Sequence, residues 1–272
     1  MDAIARRDPF RPIDHPETGP LTAVWLGRAD YRGVWSRQKE LAAARATGTI
    51  GDHLLLVEHP AVLTLGRHAD EHHVRAAPGA LDARGIELIR VERGGEVTYH
   101  GPGQLVAYPI IALSRRGLLV RPLVRALEAA MIETCATFGV AAGRLDGHPG
   151  CWIAPDGPRP RKIGALGIRV ERGVSYHGIA LNVDPDLADF DLIDACGMPD
   201  VVSTSIAREA GWTVSGARGS RVPEAAAAFG AAFARQIGAD LAGFGSPSDV
   251  PGDAKPSVTV PVGRSGAVAA VR

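Results

Sequence analysis

The chain has 272 residues, 46% hydrophobic and 22% charged, a composition that suits one large globular domain or two small ones. Its 30 acidic and 30 basic residues cancel, which argues against nucleic acid or an anionic membrane surface as the main partner. No apolar run approaches the roughly 20 residues of a membrane helix. The opening MDAIARRDPFRPIDHPETG lacks the apolar stretch of a signal peptide. Three cysteines are an odd, sparse set that suits free thiols in a reducing compartment, so a cytoplasmic protein is expected.

In chain order, residues 1–20 read as a flexible N-terminal segment, and Leu21 to Leu26 as a strand. Tyr31, Val34, Trp35, Gln38, Leu41, Ala42 and Arg45 trace one face of a helix. His53–Glu58 and Val62–Leu65 are strands around His59-Pro60. His59, His68, His72 and His73 invite a metal reading. GRHADEHHV, however, has no helical apolar face, and no cysteine or carboxylate spacing completes a tetrahedral set, so no metal site is expected. Ile86–Val91 follows as a strand.

RGGEVTYHGPGQ, Arg93 to Gln104, then packs Gly94, Gly95, Gly101 and Gly103 around His100. It is either a cradle whose backbone N–H groups converge on an oxyanion or carbonyl, or a bulged connection between strands. It is neither a P-loop nor a dinucleotide fingerprint, because the required lysine, spacing and helix are missing.

Gln104–Leu113 reads as a longer strand, and Leu123 to Phe138 as a helix closing at Gly139. Cys135 on that helix and Cys151 in a following strand fit small core residues. Lys162–Glu171 and Val174–Val183 are β-rich runs separated by Arg172-Gly173, a hairpin signal. His100 and His177 are either acid/base groups in a cleft or satisfied structural histidines. Cys196 sits in the turn-rich DLIDACGMPD beside Gly197, where a side chain is presented rather than packed. Glu224–Leu241 reads as an alanine-rich final helix, and residues 245–272 as a flexible tail. Strands and helices mix without βαβ alternation. The expected fold class is therefore α+β, a single domain over residues 21–244 with a mixed β-sheet flanked by helices.

Of the 30 basic residues only Lys39, Lys162 and Lys255 are lysine. Arginine cannot give up its proton in a protein and a buried amine can, so a lysine in a chain that defaults to arginine invites a chemical reading.

Three segments carry a family resemblance. RGGEVTYHGPGQLVAYPI, then RKIGALGIRVERGVSYHGIALNV, then Ala195-Cys196-Gly197 stand in that order between about Leu54 and Ser205. They resemble the successive signatures of the lipoyl(octanoyl) transferases. The resemblance implies the fold of biotin-protein and lipoate-protein ligases, and a reaction with no cofactor. It implies an octanoyl group taken from octanoyl-acyl carrier protein, held as a thioester on Cys196 with Lys162 as acid/base partner. The acceptor would be a lysine on the lipoyl domains of 2-oxoacid dehydrogenases or on the glycine cleavage H protein. It also implies a substrate lining of Arg93, Gly94, Gly95, Glu96, Val97, Thr98, Tyr99 and His100, together with Ala165, Leu166, Gly167, Gly178, Ile179 and Ala180. Ala195 departs from the proline often found before the family's cysteine. An ATP-dependent lipoate-protein ligase and a non-catalytic lipoyl-domain binder are the alternatives. Arg115, Arg116, Arg121, Arg125, Arg159 and Arg161 flank these motifs, either as a dock for an acidic carrier protein or as an ordinary solvated face.

Overall fold

A computed structural model describes residues 19–77, 79–194, 197–198, 201–212 and 220–245 of the chain. Strand β1 (Leu21–Arg28) leads into helix α1 (Tyr31–Thr47), whose Asp30 cap accepts a hydrogen bond from the Gly33 amide. Gly48, at φ 81°, closes α1 in the left-handed conformation that glycine adopts without strain. β2 (Asp52–Glu58), with Leu54–Val57 at its centre, and β3 (Val62–Leu65) are buried throughout. A short helix α2 (Ala80–Ala83) precedes β4 (Glu87–Arg90), β5 (Val97–His100) and β6 (Gln104–Ile110). Then come α3 (Val120–Thr137), β7 (Gly143–Leu145), β8 (His148–Ile153), β9 (Arg161–Glu171) and β10 (Val174–Asn182). The chain continues with β11 (Val202–Ser203), α4 (Ile206–Glu209), α5 (Val222–Gln236) and β12 (Leu241–Gly245).

The main sheet runs β12-β1-β2-β6-β10-β9-β8-β7, with β11 added to β9. β1 lies parallel to both β12 and β2, and the pairs from β2 through β7 are antiparallel, so the sheet is mixed. β4, β3 and β5 form a second, small sheet. Helices α3 and α5 cover one face of the main sheet in a core that includes Leu127, Met131, Phe229 and Phe233. On the other face α1 packs Val34, Leu41 and Ala42 over Leu55, Val106 and Tyr108. α+β with a mixed sheet and flanking helices is thus the observed class.

The β9–β10 turn puts Arg172 at φ 50° and Gly173 at φ 78°, both left-handed, as a tight two-residue hairpin requires. The last helix corrects the expectation of Glu224–Leu241. It stops at Gln236, Gly238 takes φ 62°, and Leu241 begins β12 beside β1. A continuing helix would forfeit that parallel pairing at the sheet edge.

A buried ionic cluster locks the outer end of the sheet. Asp52 Oδ1 accepts from Arg45 Nε at 2.7 Å and from the Ala112 amide at 3.0 Å, and Asp52 Oδ2 accepts from Arg116 Nε. Arg116 Nη2 donates to the Gly19 carbonyl at 2.7 Å. Arg116 is therefore not part of a docking face. Arg125 and Arg161 pair with Glu128 and Glu209, so three of the six flanking arginines are engaged within the chain.

Candidate active site

Between the small sheet and the α1 side of the main sheet lies a pocket of about 440 Å³. Arg93, Gly94, Gly95, Glu96, Val97, Thr98 and His100 form one wall. Ala165, Leu166, Gly167, Gly178, Ile179 and Ala180 form the other. Two sequence-distant motifs thus face each other across one space. The reason is partly Gly167: a Cβ there would come within 2.5 Å of the Gly94 carbonyl oxygen, so only glycine lets the loop approach β9. The Gly94 amide donates to the Ile168 carbonyl at 3.1 Å and fixes that approach.

Tyr99 is the exception. It points away from the pocket, donates its hydroxyl to Asp189 at 2.6 Å, and packs against Phe190 beneath the small sheet. The bond to Asp189 holds it on the face of β5 away from Thr98 and His100.

Lys162 on β9 lines the pocket together with the exposed Gly147, His148 and Pro149. It is buried, paired in register with Trp152 of β8 and Ser203 of β11, with its Nζ 4.9 Å from the centre of the Trp152 ring. An ammonium over an indole face is favourable, so the ring supports the charged amine. Cys196 lies outside the described residues. Its neighbours border the pocket: Met198 lines it, and Gly197, at φ 67°, sits so close that a Cβ would be 3.1 Å from Glu96 Cγ and from His73 Cε1. The other two cysteines sit across the sheet from the pocket, fully buried in the α3–α5 core. The Cys135 sulfur beside it and burial push the Cys151 thiol far above its ordinary range, which leaves it inert.

The buried part of the pocket carries His177, one of the two histidines the sequence offered for a cleft, with Tyr31 and Tyr108, which sequence reasoning left unassigned to it. His59 Nδ1 bonds the Ala29 carbonyl at 2.7 Å, so it carries the proton, and Nε2 accepts from the Tyr108 hydroxyl at 2.9 Å. By the same reasoning His100 donates from Nδ1 to Gln104 Oε1 at 2.8 Å, while Gln104 Nε2 donates to Asn182. Burial, above all, lowers His59 to about 4 and both His100 and His177 to about 3, so all three rings are neutral and weakly basic at pH 7. Among the described residues no three His, Cys, Asp or Glu side chains converge as a metal site would need, and no helix is long and apolar enough to cross a membrane.

Residues 30–233 match the family model of the lipoyl protein ligase A/B catalytic domain. The chain is 48% identical over 192 residues to an octanoyltransferase of Chloroflexus aurantiacus, covering 70% of this chain and 85% of that one. It is 48% identical over 198 residues to an octanoyltransferase of Mycolicibacterium gilvum, covering 72% and 79% respectively. Among solved structures, the bipartite lipoate protein ligase of Thermoplasma acidophilum superposes with a TM-score of 0.60 at 16% identity, over 85% of this chain and 88% of that one. Lipoate-protein ligase A bound with ATP superposes at 0.59 with 16% identity, over 85% and 89%. At such identities the structural likeness speaks to the fold alone.

Proposed function

This chain belongs to the octanoyltransferases of the lipoyl protein ligase A/B catalytic family, and on that premise we propose how it transfers an octanoyl group in lipoate biosynthesis. The donor is octanoyl-acyl carrier protein. The Cys196 thiolate attacks the donor carbonyl, a new carbon–sulfur bond forms, and the carrier thiol leaves with a proton. The acyl chain lies along the apolar wall of Leu166, Ile179 and Ala180, and at roughly 0.8 kcal/mol per methylene its six methylenes supply about 5 kcal/mol. A lysine of a lipoyl domain then attacks the thioester, the amide bond forms, and Cys196 is released. Amide formation from a thioester is downhill, so no ATP is needed.

The observation that carries this reading is the placement of Lys162. A single buried amine lines the pocket, and Met198, two residues along the chain from Cys196, lines it too. As an ammonium it favours the thiolate, and as a neutral amine it takes the proton the acceptor lysine must lose. His100 and His177, the other candidates for that proton, are weak bases. Protein location within the cell and the identity of the acceptor protein follow from the same reading: a cytoplasmic enzyme that serves the lipoyl domains of 2-oxoacid dehydrogenases and the glycine cleavage H protein.

A single-turnover experiment separates the two duties of Lys162. Each variant is loaded with octanoyl, a lipoyl domain is added without ATP, and octanoylated domain is followed by mass. Lys162→Arg keeps the charge and cannot accept a proton, so it should load but transfer about 10² to 10⁴ times more slowly. Lys162→Ala should fail in both steps. Transfer by Lys162→Arg at the wild-type rate would remove the base role.

A further inference from the structure

His177 occupies a backbone conformation that strands do not ordinarily allow. The register of β10 on β6, from Ile179 opposite Ala107 to Asn182 opposite Gln104, continues to place His177 opposite Pro109. Proline has no amide to donate, so the ladder breaks there. Ser175 bridges the gap, its hydroxyl donating to the Pro109 carbonyl at 2.7 Å and accepting from the Ile111 amide at 3.1 Å. β10 buckles, and His177 takes φ 55°. Its amide turns away from β6 and donates to Gln38 Oε1 of α1 at 2.8 Å. A non-glycine residue at positive φ costs of order 1–3 kcal/mol and persists only where the surroundings impose it.

The buckle brings the imidazole to the buried inner end of the pocket, edge-on to Tyr108, with 1% of the residue exposed. Neither ring nitrogen has a hydrogen-bond partner, and nor has Gln38 Nε2 behind it. The nearest carboxylate, Glu92, stands 3.9 Å from Nε2, beyond hydrogen-bond reach, and already accepts from the Trp35 indole at 3.1 Å. A buried polar group without a partner is costly, and one that lines a cavity is suited to a ligand.

Distance decides which ligand group can meet it. His177 pairs with Ile168, six residues along β9 from Lys162, which is about 20 Å of strand. An octanoyl chain, at carbon–carbon bonds of about 1.5 Å, extends only about 9 Å from its carbonyl carbon. Reckoned from Lys162, the pocket lining is therefore longer than an octanoyl chain, and it reaches the His177 ring.

We propose that His177 forms a second recognition point at the inner end of the acyl pocket, and that it admits longer acyl groups ending in a hydroxyl while rejecting plain alkyl chains of the same length. This rests on the reading that the pocket holds the acyl chain. A neutral imidazole offers one N–H and one lone pair, and a hydroxyl offers the same, so the two pair in either direction. A terminal methyl would offer neither nitrogen a partner.

The test is transfer to a lipoyl domain from carrier-protein thioesters of octanoyl, decanoyl, dodecanoyl and tetradecanoyl groups, each with a terminal methyl or a terminal hydroxyl. In the wild type, kcat/KM for plain chains should fall once the chain reaches the floor. The hydroxylated chain of that length should exceed its plain counterpart by about tenfold or more, the penalty for leaving a buried hydrogen-bonding group unpaired. His177→Asn, which tolerates positive φ and keeps a donor and an acceptor, should retain the hydroxyl preference; His177→Leu should invert it. Should leucine not fold, His177→Gly suits the backbone, and with it the drop for long plain chains should disappear. A hydroxyl-to-methyl ratio that is the same in wild type, Asn and Leu forms, or a wild type that favours the methyl at every length, overturns the proposal. Wild type that transfers no plain octanoyl overturns the reading of the pocket itself, and this proposal with it.

Discussion

Two groups of buried polar residues sit on the α1 side of the same sheet and differ in one respect. Around Asp52 both carboxylate oxygens are taken, by Arg45, Arg116 and the Ala112 amide, and Arg116 reaches on to the Gly19 carbonyl. Around His177 the backbone amide is satisfied by Gln38, yet both ring nitrogens are left over. The first group ties α1, β2 and the segment after β6 together, and nothing remains for a ligand. The second lines a pocket and keeps hydrogen-bonding capacity unused. Completeness of pairing separates the structural cluster from the one open to substrate.

Breaking the paired cluster should cost the most stability. Asp52→Ala leaves two buried guanidinium groups without their shared carboxylate, and chemical denaturation should show a loss of about 3–5 kcal/mol. A loss under 1 kcal/mol would mean the cluster is not structural. His177→Asn should cost far less, about 1 kcal/mol, because the ring gives up no hydrogen bond. Equal losses at the two positions would erase the distinction.

Acidity sharpens the same contrast with a smaller effect. His59, His100 and His177 are held neutral in the fold, at about 4, 3 and 3, but charge near 6.5 in the unfolded chain. The unfolded state binds more protons between those values, so stability is full above about pH 6.5 and falls as pH drops toward 4. The slope reaches at most about 1.4 kcal/mol per pH unit for each ring. Thermal unfolding followed from neutral pH downward should show that decline, and His177→Asn should flatten it. An unchanged slope would mean that His177 titrates alike in both states.

Much of this arrangement was legible before any coordinates. The Arg172-Gly173 turn between two β-rich runs was readable because its φ angles favour glycine. The α1 face was readable because Tyr31, Val34, Leu41 and Ala42 keep helical spacing. Gln38 and Arg45 on that face now have reasons, the His177 amide and Asp52. Scarcity singled out Lys162 before its surroundings were known. What stayed hidden depends on distant partners. Arg116 reads as a surface cation until Asp52, 64 residues away, is brought beside it. β12 is too short to announce itself without β1. Tyr99 left no sign of its partner, since Asp189 is 90 residues away. Pro109 inside a central strand was the available signal for His177, since a missing donor there must disturb whatever lies opposite.

The account turns on Cys196 carrying the octanoyl group, and intact mass reads this directly. After mixing with octanoyl-acyl carrier protein, the wild type should gain one octanoyl group that hydroxylamine removes, and Cys196→Ser should gain no such thioester. Octanoyl found on Cys135 or Cys151 instead, or unchanged loading in Cys196→Ser, would contradict it.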